Sequence, residues 1–441
     1  MTDGTTNTPA PRRTAPSALE RPTLPRGWGV GLFALAVVAP LLRERGVPTW
    51  DNIWVEDGPV YARDVLQSGW SSAFRGYFGY LQGLDRLLAL PVSVVPPGWW
   101  AAYFAVVSTV MWALAAAFVY RTSASWISSA ACRLALCAVI VASPAAAWET
   151  NASISNTMWA ALLVVPFAFL SERRGRVDTA LRSIAVFLGI LSSPLAVLFL
   201  PIGLVAAATR RRASEVVVLT AFGAGLAIQV AAWLSTGIEP GSASSWRLVA
   251  DLYGLRVVGS SLVGELPLDT LWTEVGEPAV LVLVGSFVAL WGVLFARSDR
   301  SVRLRAGLFL GLSVVVFVVP IVGRGIAAVG FDLGVYTLSY TRLTIVPILL
   351  LVTSVAMLVD PVGGHRRPSE LWRAAFLAQT AAVVVLGFSV TSARGAEPGW
   401  TAARSRVLTE QCAGRPDDTV VTVPTTPSTF RFTLTCGQLR G

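Results

Sequence analysis

The chain has 441 residues, of which 54% are hydrophobic and only 14% charged, with a mean hydropathy of +0.62. A soluble domain carries about 25% charged residues, so this composition excludes an ordinary soluble globule and points to a chain largely surrounded by lipid. His365 is the only histidine, which excludes histidine-rich metal centres by count. No phosphate-binding glycine loop, dinucleotide fingerprint or paired CxxC is present.

Each crossing needs about 20 mainly apolar residues, so the chain has room for about nine to eleven spans. The hydropathy pattern places them near 28–42, 98–120, 133–148, 155–171, 214–234, 279–296, 305–322, 343–359 and 374–392, with a short hairpin at 183–208. The net charge of +9 raises the question of a nucleic-acid partner, and its distribution answers it. With the N-terminus inside, the cytoplasmic segments hold 20 arginines against 8 acids, and the outer segments 15 against 18. Arginine excess on one face is the positive-inside pattern, so basicity here encodes topology and no nucleic-acid partner is expected. All basic residues are arginine, in keeping with a GC-rich bacterial genome.

Residues 1–27, rich in Thr, Pro and Arg, read as a disordered cytoplasmic tail. The run at 28–42 is expected to be a retained first helix, because Pro40 and Arg43 make a poor cleavage site. Next comes an outer loop, 43–97, with Glu56-Asp57-Gly58-Pro59 near its start. Asp57 is expected as N-cap and Pro59 in the first turn of a helix that stops at Ser68-Gly69. Trp50, Trp54, Trp70, Trp99 and Trp100 read as interfacial anchors, with the loop lying flat on the membrane.

The segment 183–208 has arginine clusters at both ends and Ser192-Ser193-Pro194 in its middle, so it reads as a hairpin returning to the cytoplasmic side; the alternative is a single kinked helix that violates the charge rule. Outer loops follow at 235–278 and 323–342. The outer tail, 393–441, contains alternating stretches at 419–423 and 429–435 that read as strands. Cys412 and Cys436 both lie in it, where a disulfide persists. Cys132 and Cys137 fall in a span and read as small apolar residues.

The chemistry-bearing residues gather on the outer side. Glycosyl transfer from a lipid phosphate requires one base for the acceptor hydroxyl and no general acid, since phosphate leaves without a proton. Glu56 and Asp57 are the candidates. A helix N-terminus stabilises the Asp57 anion and weakens it as a base, which favours Glu56 as base and Asp57 as cap or metal ligand; capping alone is the competing reading. Arg324 and Arg342, with Tyr336 and Tyr340 between them, form a candidate clamp for a donor phosphate, against ordinary interfacial anchoring. Arg63, Arg75 and Arg86 are rivals for that role. Glu149 and Asn151 sit in a short outer turn within reach of the same cavity, and Tyr77, Phe78, Tyr80 and Gln82 fit an acceptor groove or packing on the bilayer.

Glu56-Asp57, Tyr61, Ala62 and Leu66-Gln67-Ser68-Gly69-Trp70, together with the proline-broken hairpin, resemble the GT-C superfamily of integral-membrane glycosyltransferases, in particular an actinobacterial branch with an EDGP-type first loop and two cysteines in an outer tail. The resemblance spans roughly residues 28–392 and implies an all-α polytopic membrane fold with a GT-C-like helical core and a small β-containing tail. It implies an inverting transferase at the bacterial plasma membrane, with the N-terminus cytoplasmic and the C-terminus extracytoplasmic. Its donor is a polyprenyl-phosphate-linked sugar and its acceptor an envelope glycan, lipid or protein. Glu56 or Asp57 would be the base, and a divalent cation such as Mg or Mn is a possible cofactor with Asp57 a possible ligand. A second acidic motif has no clear match, Asp251 and Asp332 being the nearest candidates. The alternatives are a flippase for a lipid-linked sugar and a non-catalytic scaffold in envelope assembly. A transporter places ionisable groups near the membrane midplane, whereas these spans are almost free of charge.

Overall fold

The computed structural model describes residues 26–142, 145, 149–172, 175–236, 245–325, 342–362, 370–389 and 391–441. Of the expected disordered tail, residues 1–25 lie outside the described residues, and 26–27 belong to the first helix. The described residues are mostly helical, with a small two-stranded sheet near the C-terminal end. The helices in chain order are α1 (Arg26–Leu41), α2 (Arg63–Ser68), α3 (Gly83–Ala89), α4 (Trp100–Thr122), α5 (Ala130–Ala142), α6 (Thr157–Leu170), α7 (Arg176–Ser192), α8 (Leu200–Arg210), α9 (Ala213–Thr236), α10 (Trp246–Leu252), α11 (Ser260–Val263), α12 (Glu265–Val275), α13 (Glu277–Arg297), α14 (Arg300–Arg324), α15 (Arg342–Val359), α16 (Glu370–Leu386), α17 (Ala393–Ala396), α18 (Trp400–Glu410) and α19 (Cys436–Arg440).

By length and composition, five helices among the described residues are able to cross a membrane: those within Pro97–Ser125, Ala213–Thr236, Glu277–Arg297, Arg300–Gly323 and Arg342–Val359. The 24 residues of α9 extend about 36 Å at 1.5 Å each, against a hydrocarbon layer of about 30 Å. Shorter apolar helices occupy Gly27–Leu41, Ala130–Ala142, Ile154–Leu170 and Pro194–Arg210. Several apolar helices of this kind are what a multi-pass membrane protein requires. Burial sorts them. In α15 83% of the apolar window is covered by protein, against 17% in α13 and 22% in α9, so α15 is the bundle's centre and the other two face outward. Trp126, Phe167 and Phe309 join the α4–α5 connection, α6 and α14, with ring centroids 5.3–6.0 Å apart and the Phe167–Phe309 pair edge to face.

The proline-broken segment does reverse. Helix α7 ends at Ser192, a 3-10 stretch Pro194–Phe199 follows, and α8 runs back. Arg182, in the first arm, donates to the carbonyl of Ala168 (2.7 Å), and Arg210, at the end of the second, donates to the carbonyls of Phe169, Leu170 and Ser171. Both arms thus meet the C-terminal end of α6. Glu215 of α9 pairs with Arg182 at 2.5 Å and Arg210 at 3.5 Å, locking that end. At the tip, the Ser192 hydroxyl accepts the Leu84 N–H (3.0 Å), and Gln229 donates to the carbonyls of Leu81 and Leu191.

The loop 43–97 and the tail fold together into one lobe with its own core, including Ile53, Tyr61, Trp100, Trp400, Val423, Phe432 and Leu439. Trp400 stacks between Trp100 (5.9 Å) and Phe432 (6.2 Å). Strands β1 (Val420–Pro424) and β2 (Arg431–Thr435) pair antiparallel with Thr422 opposite Thr433. Their alternation turns Val421, Val423, Phe432 and Leu434 inward, as the period-2 pattern requires. A disulfide joins Cys412 to Cys436. The backbone stitches loop to tail: Val55 N donates to Thr426 O and Thr426 N to Ile53 O, each at 2.9 Å. The loop is therefore a folded layer. Trp54 and Trp100 are buried in it, and only Trp50, Trp70 and Trp99 are exposed.

Candidate functional site

Between this lobe and the helical bundle lies a buried cluster of ionisable side chains. Its first wall is the turn Val55–Asp57, which passes without a break into a π turn, Gly58–Ala62, and then α2. Its second wall is the turn 149–156 between α5 and α6. Each wall contains a non-glycine residue with left-handed backbone, Val55 (φ 31°) and Ala152 (φ 52°). For a β-branched valine this is a genuine strain, of the kind that collects at functional sites.

Asp57 is fully buried. It does not cap its own helix: no side-chain capping bond forms at the π turn. This corrects the expected N-cap role. Its Oδ1 instead reaches across to the second wall, accepting from the Ser153 hydroxyl and the Ser155 N–H, both at 3.0 Å. Its Oδ2 has no hydrogen-bond partner among the described residues. Burial pushes the Asp57 carboxyl up to about 7, opposed by the Ser155 and Ser153 bonds and the Arg394 charge. The helix dipole argument for Asp57 as the weaker base thus loses to desolvation.

Glu56 turns to Arg342 at the start of α15, with Oε1 3.4 Å from Nη1, while its Oε2 is buried without a partner among the described residues. Arg342 is also held by Glu149, which lies 3.3 Å from Nε and accepts the Arg342 backbone N–H at 3.1 Å. Glu149 therefore sits at the N-terminus of α15, where an anion is favoured. Asn151 donates to Pro40 O at 2.5 Å, and its carbonyl accepts from Arg394. Glu149 and Asn151, expected within reach of the cavity, and Arg342, expected as part of a phosphate clamp, lie in one cluster with Glu56 and Asp57. Tyr336, Tyr340, Asp332 and the Arg324 side chain lie outside the described residues. Asp251 is elsewhere, 3.8 Å from Arg247 on the exposed face of α10.

Two members of the cluster were not expected. Arg394 is buried, its guanidinium 4.5 Å from the Trp54 ring centroid and hydrogen bonded to the Asn151 carbonyl, with Nε and Nη2 unpartnered among the described residues. Burial lowers it to about 10, with Asp57 the first opposing charge. Asp85 of α3 is fully buried. Thr157 donates to its Oδ1, and its Oδ2 is unpartnered among the described residues. Burial holds its carboxyl well above the usual range, and the nearby Asp57 charge acts in the same direction. Asp85 carried a signal in the sequence: a charged pair, Asp85-Arg86, inside the apolar run Leu84–Leu90 is unusual unless buried and paired. Arg394 carried none, being more than 300 residues from Asp57 in the chain.

Tyr61 lies beneath the acids and donates to Gln82 Oε1, and Gln82 donates to the Tyr80 hydroxyl at 3.1 Å. Tyr77 feels both Glu56 and Arg342, and burial leads the causes that push it to about 12. Arg63, Arg75 and Arg86 stand apart, around Asp64. Among the described residues no group of three or more His, Cys, Asp or Glu side chains is placed to hold a metal ion. The orphaned carboxylate oxygens among the described residues do not form a donor set for Mg or Mn. Compared with protein-family models, curated proteins and solved structures, the chain matches none of them.

Proposed function

We propose that the chain is a glycosyltransferase of the GT-C kind in a bacterial plasma membrane, with about nine to eleven crossings and its lobe on the extracytoplasmic face. It moves a sugar from a polyprenyl-phosphate donor to an envelope glycan, lipid or protein. The observation that carries this reading is the Asp57 carboxylate: buried, held through one oxygen, with the other oxygen unengaged. A base poised near neutral pH is what deprotonating an acceptor hydroxyl requires.

In the reaction, Asp57 Oδ2 takes the acceptor's hydroxyl proton while the acceptor oxygen bonds to the anomeric carbon. The bond from that carbon to the phosphate oxygen breaks, and the polyprenyl phosphate departs with the electron pair, inverting the configuration. The Ser153 and Ser155 bonds fix the carboxylate's direction. Glu56, tied to Arg342, stands beside Asp57 and remains the rival base. The test is transfer from radiolabelled polyprenyl-phosphate sugars to an envelope-lipid extract by purified protein, with Asp57→Asn and Glu56→Gln alongside. Transfer is expected to vanish in Asp57→Asn with folding intact; wild-type transfer in both variants overturns the reading. The scaffold reading has one observation on its side, since the same Oδ1 bonds staple loop to turn. It requires no transfer from any donor by the folded wild type.

A further inference from the structure

Three arginines of the first loop converge on a single carboxylate. Arg86 Nη1 lies 2.6 Å from Asp64 Oδ2, while Arg75 Nη1 and Arg63 Nη2 approach Oδ1 at 3.5 and 3.6 Å. Three positive charges against one negative leave a local surplus. Asp85, the chain neighbour of Arg86, is buried and takes a bond from the Thr157 hydroxyl. Arg86 is buried, packs 5.2 Å from the Tyr61 ring centroid, and has an Nε–H with no partner among the described residues. Arg63 and Arg75 are about half exposed, 42% and 49%. Their long contacts to Oδ1 leave guanidinium N–H groups facing outward. Forked donors of this kind match the oxygens of a phosphate.

The cluster's height in the molecule says what carries that phosphate. Gly76, beside Arg75, is pressed against Thr236, where an added Cβ would stand 2.7 Å from the threonine methyl. Thr236 ends α9, one of the helices able to cross a membrane. Trp233 and Leu234 just before it are exposed, and so are Trp70 and Phe74, which lead into Arg75. Exposed indole and phenyl rings at the end of an apolar helix mark the interfacial zone of a bilayer, so the arginines stand at headgroup height.

We propose that Arg63, Arg75 and Arg86, set around Asp64, form a phosphate-binding site that receives the headgroup phosphate of a membrane-borne prenyl lipid. This rests on the transferase reading for its purpose, and it assigns the donor's phosphate to the first loop. Arg342 is occupied by Glu56 and Glu149 and serves to position those acids. Tyr61 lies between the two clusters, touching Arg86 on one side and neighbouring the acids on the other.

The test is binding by the purified full chain in lipid nanodiscs, using undecaprenyl monophosphate, undecaprenol and inorganic phosphate as probes. Arg63→Gln and Arg75→Gln alter exposed side chains, and each is expected to weaken binding of undecaprenyl monophosphate about tenfold, leaving undecaprenol unaffected. Asp57→Asn is expected to bind as wild type, so loss of transfer there and loss of binding here separate the two readings. Tight binding of inorganic phosphate alone, lost in the same variants, would keep the site and move its source from lipid to free anion, overturning the lipid assignment. Unchanged affinity for all probes in the Arg63→Gln, Arg75→Gln double variant overturns the site.

Discussion

The Oδ1 of Asp57 accepts the backbone N–H of Ser155 at 3.0 Å, across 98 residues of chain. The carboxylate that sequence reasoning assigns to the start of its own helix therefore closes another turn, the one leading into α6. With the Ser153 hydroxyl bond to the same oxygen, it ties the lobe to the bundle, while the second oxygen, Oδ2, is buried with no hydrogen-bond partner among the described residues.

The titration of Asp57 gives a pH signature. Its carboxyl sits at about 7 in the folded chain, against about 3.9 unfolded. The folded state therefore holds a proton that the unfolded chain has lost between those values, and stability falls as pH rises through that window. The full effect is at most about 4 kcal/mol. Asp85 and Glu265, both raised by burial, contribute with the same sign. Asp57→Asn removes only its own share, so its thermal midpoint is expected to fall less than the wild type's between pH 5 and pH 8 in a melting series in detergent. Parallel curves for the two proteins would show that Asp57 titrates normally. Transfer should rise with pH through about 7 as the base ionises.

Gly58 tests whether the tail supports the site. A Cβ there would stand 2.8 Å from the Phe432 ring and 2.9 Å from the Thr425 methyl, so the residue after Asp57 has no side chain because the tail's sheet occupies the space. Gly58→Ala is expected to lower stability by about 1–3 kcal/mol through overpacking and to reduce transfer. Adding Phe432→Leu to make room should restore part of both. If Gly58→Ala leaves melting and transfer as in the wild type, the tail and the acidic turn are independent.

The helices were legible because lipid imposes an unbroken apolar run, which is why the stretches expected at 98–120 and 343–359 coincide with α4 and α15. The strands were legible through alternation, and Gly69 ends the first-loop helix where its position said it should. The acids were found because a charged pair just past an apolar helix is conspicuous. What sequence could not supply is distance across the chain. Arg394 joins Asp57 only because the tail folds back onto the first loop through Ile53, Val55 and Thr426, and no local pattern encodes that return. The same holds for Asp57's true partners: Ser153 and Ser155 look like ordinary turn residues until α6 is packed.

The reversed segment between α7 and α8 yields the last prediction. If both arms end on one side, Val177 and Arg211, both exposed, must be labelled as cysteines by a membrane-impermeant maleimide from the same side, and Trp70→Cys from the other. A single kinked crossing would put Val177 and Arg211 on opposite sides and sink the hairpin. The lock on that end is the Arg182–Glu215 pair, whose side chains are only 2% and 4% exposed. Removing one partner leaves an uncompensated buried charge, which costs about 3–5 kcal/mol. Glu215→Gln should therefore melt early and release Arg210 as well, since Glu215 serves both arginines. Replacing Arg182 and Glu215 together by methionine should recover most of the loss, because well-packed apolar side chains substitute for a buried pair at little cost. A double variant as unstable as Glu215→Gln would mean that the bond from Arg182 to the Ala168 carbonyl, which only the double variant removes, holds the hairpin to α6.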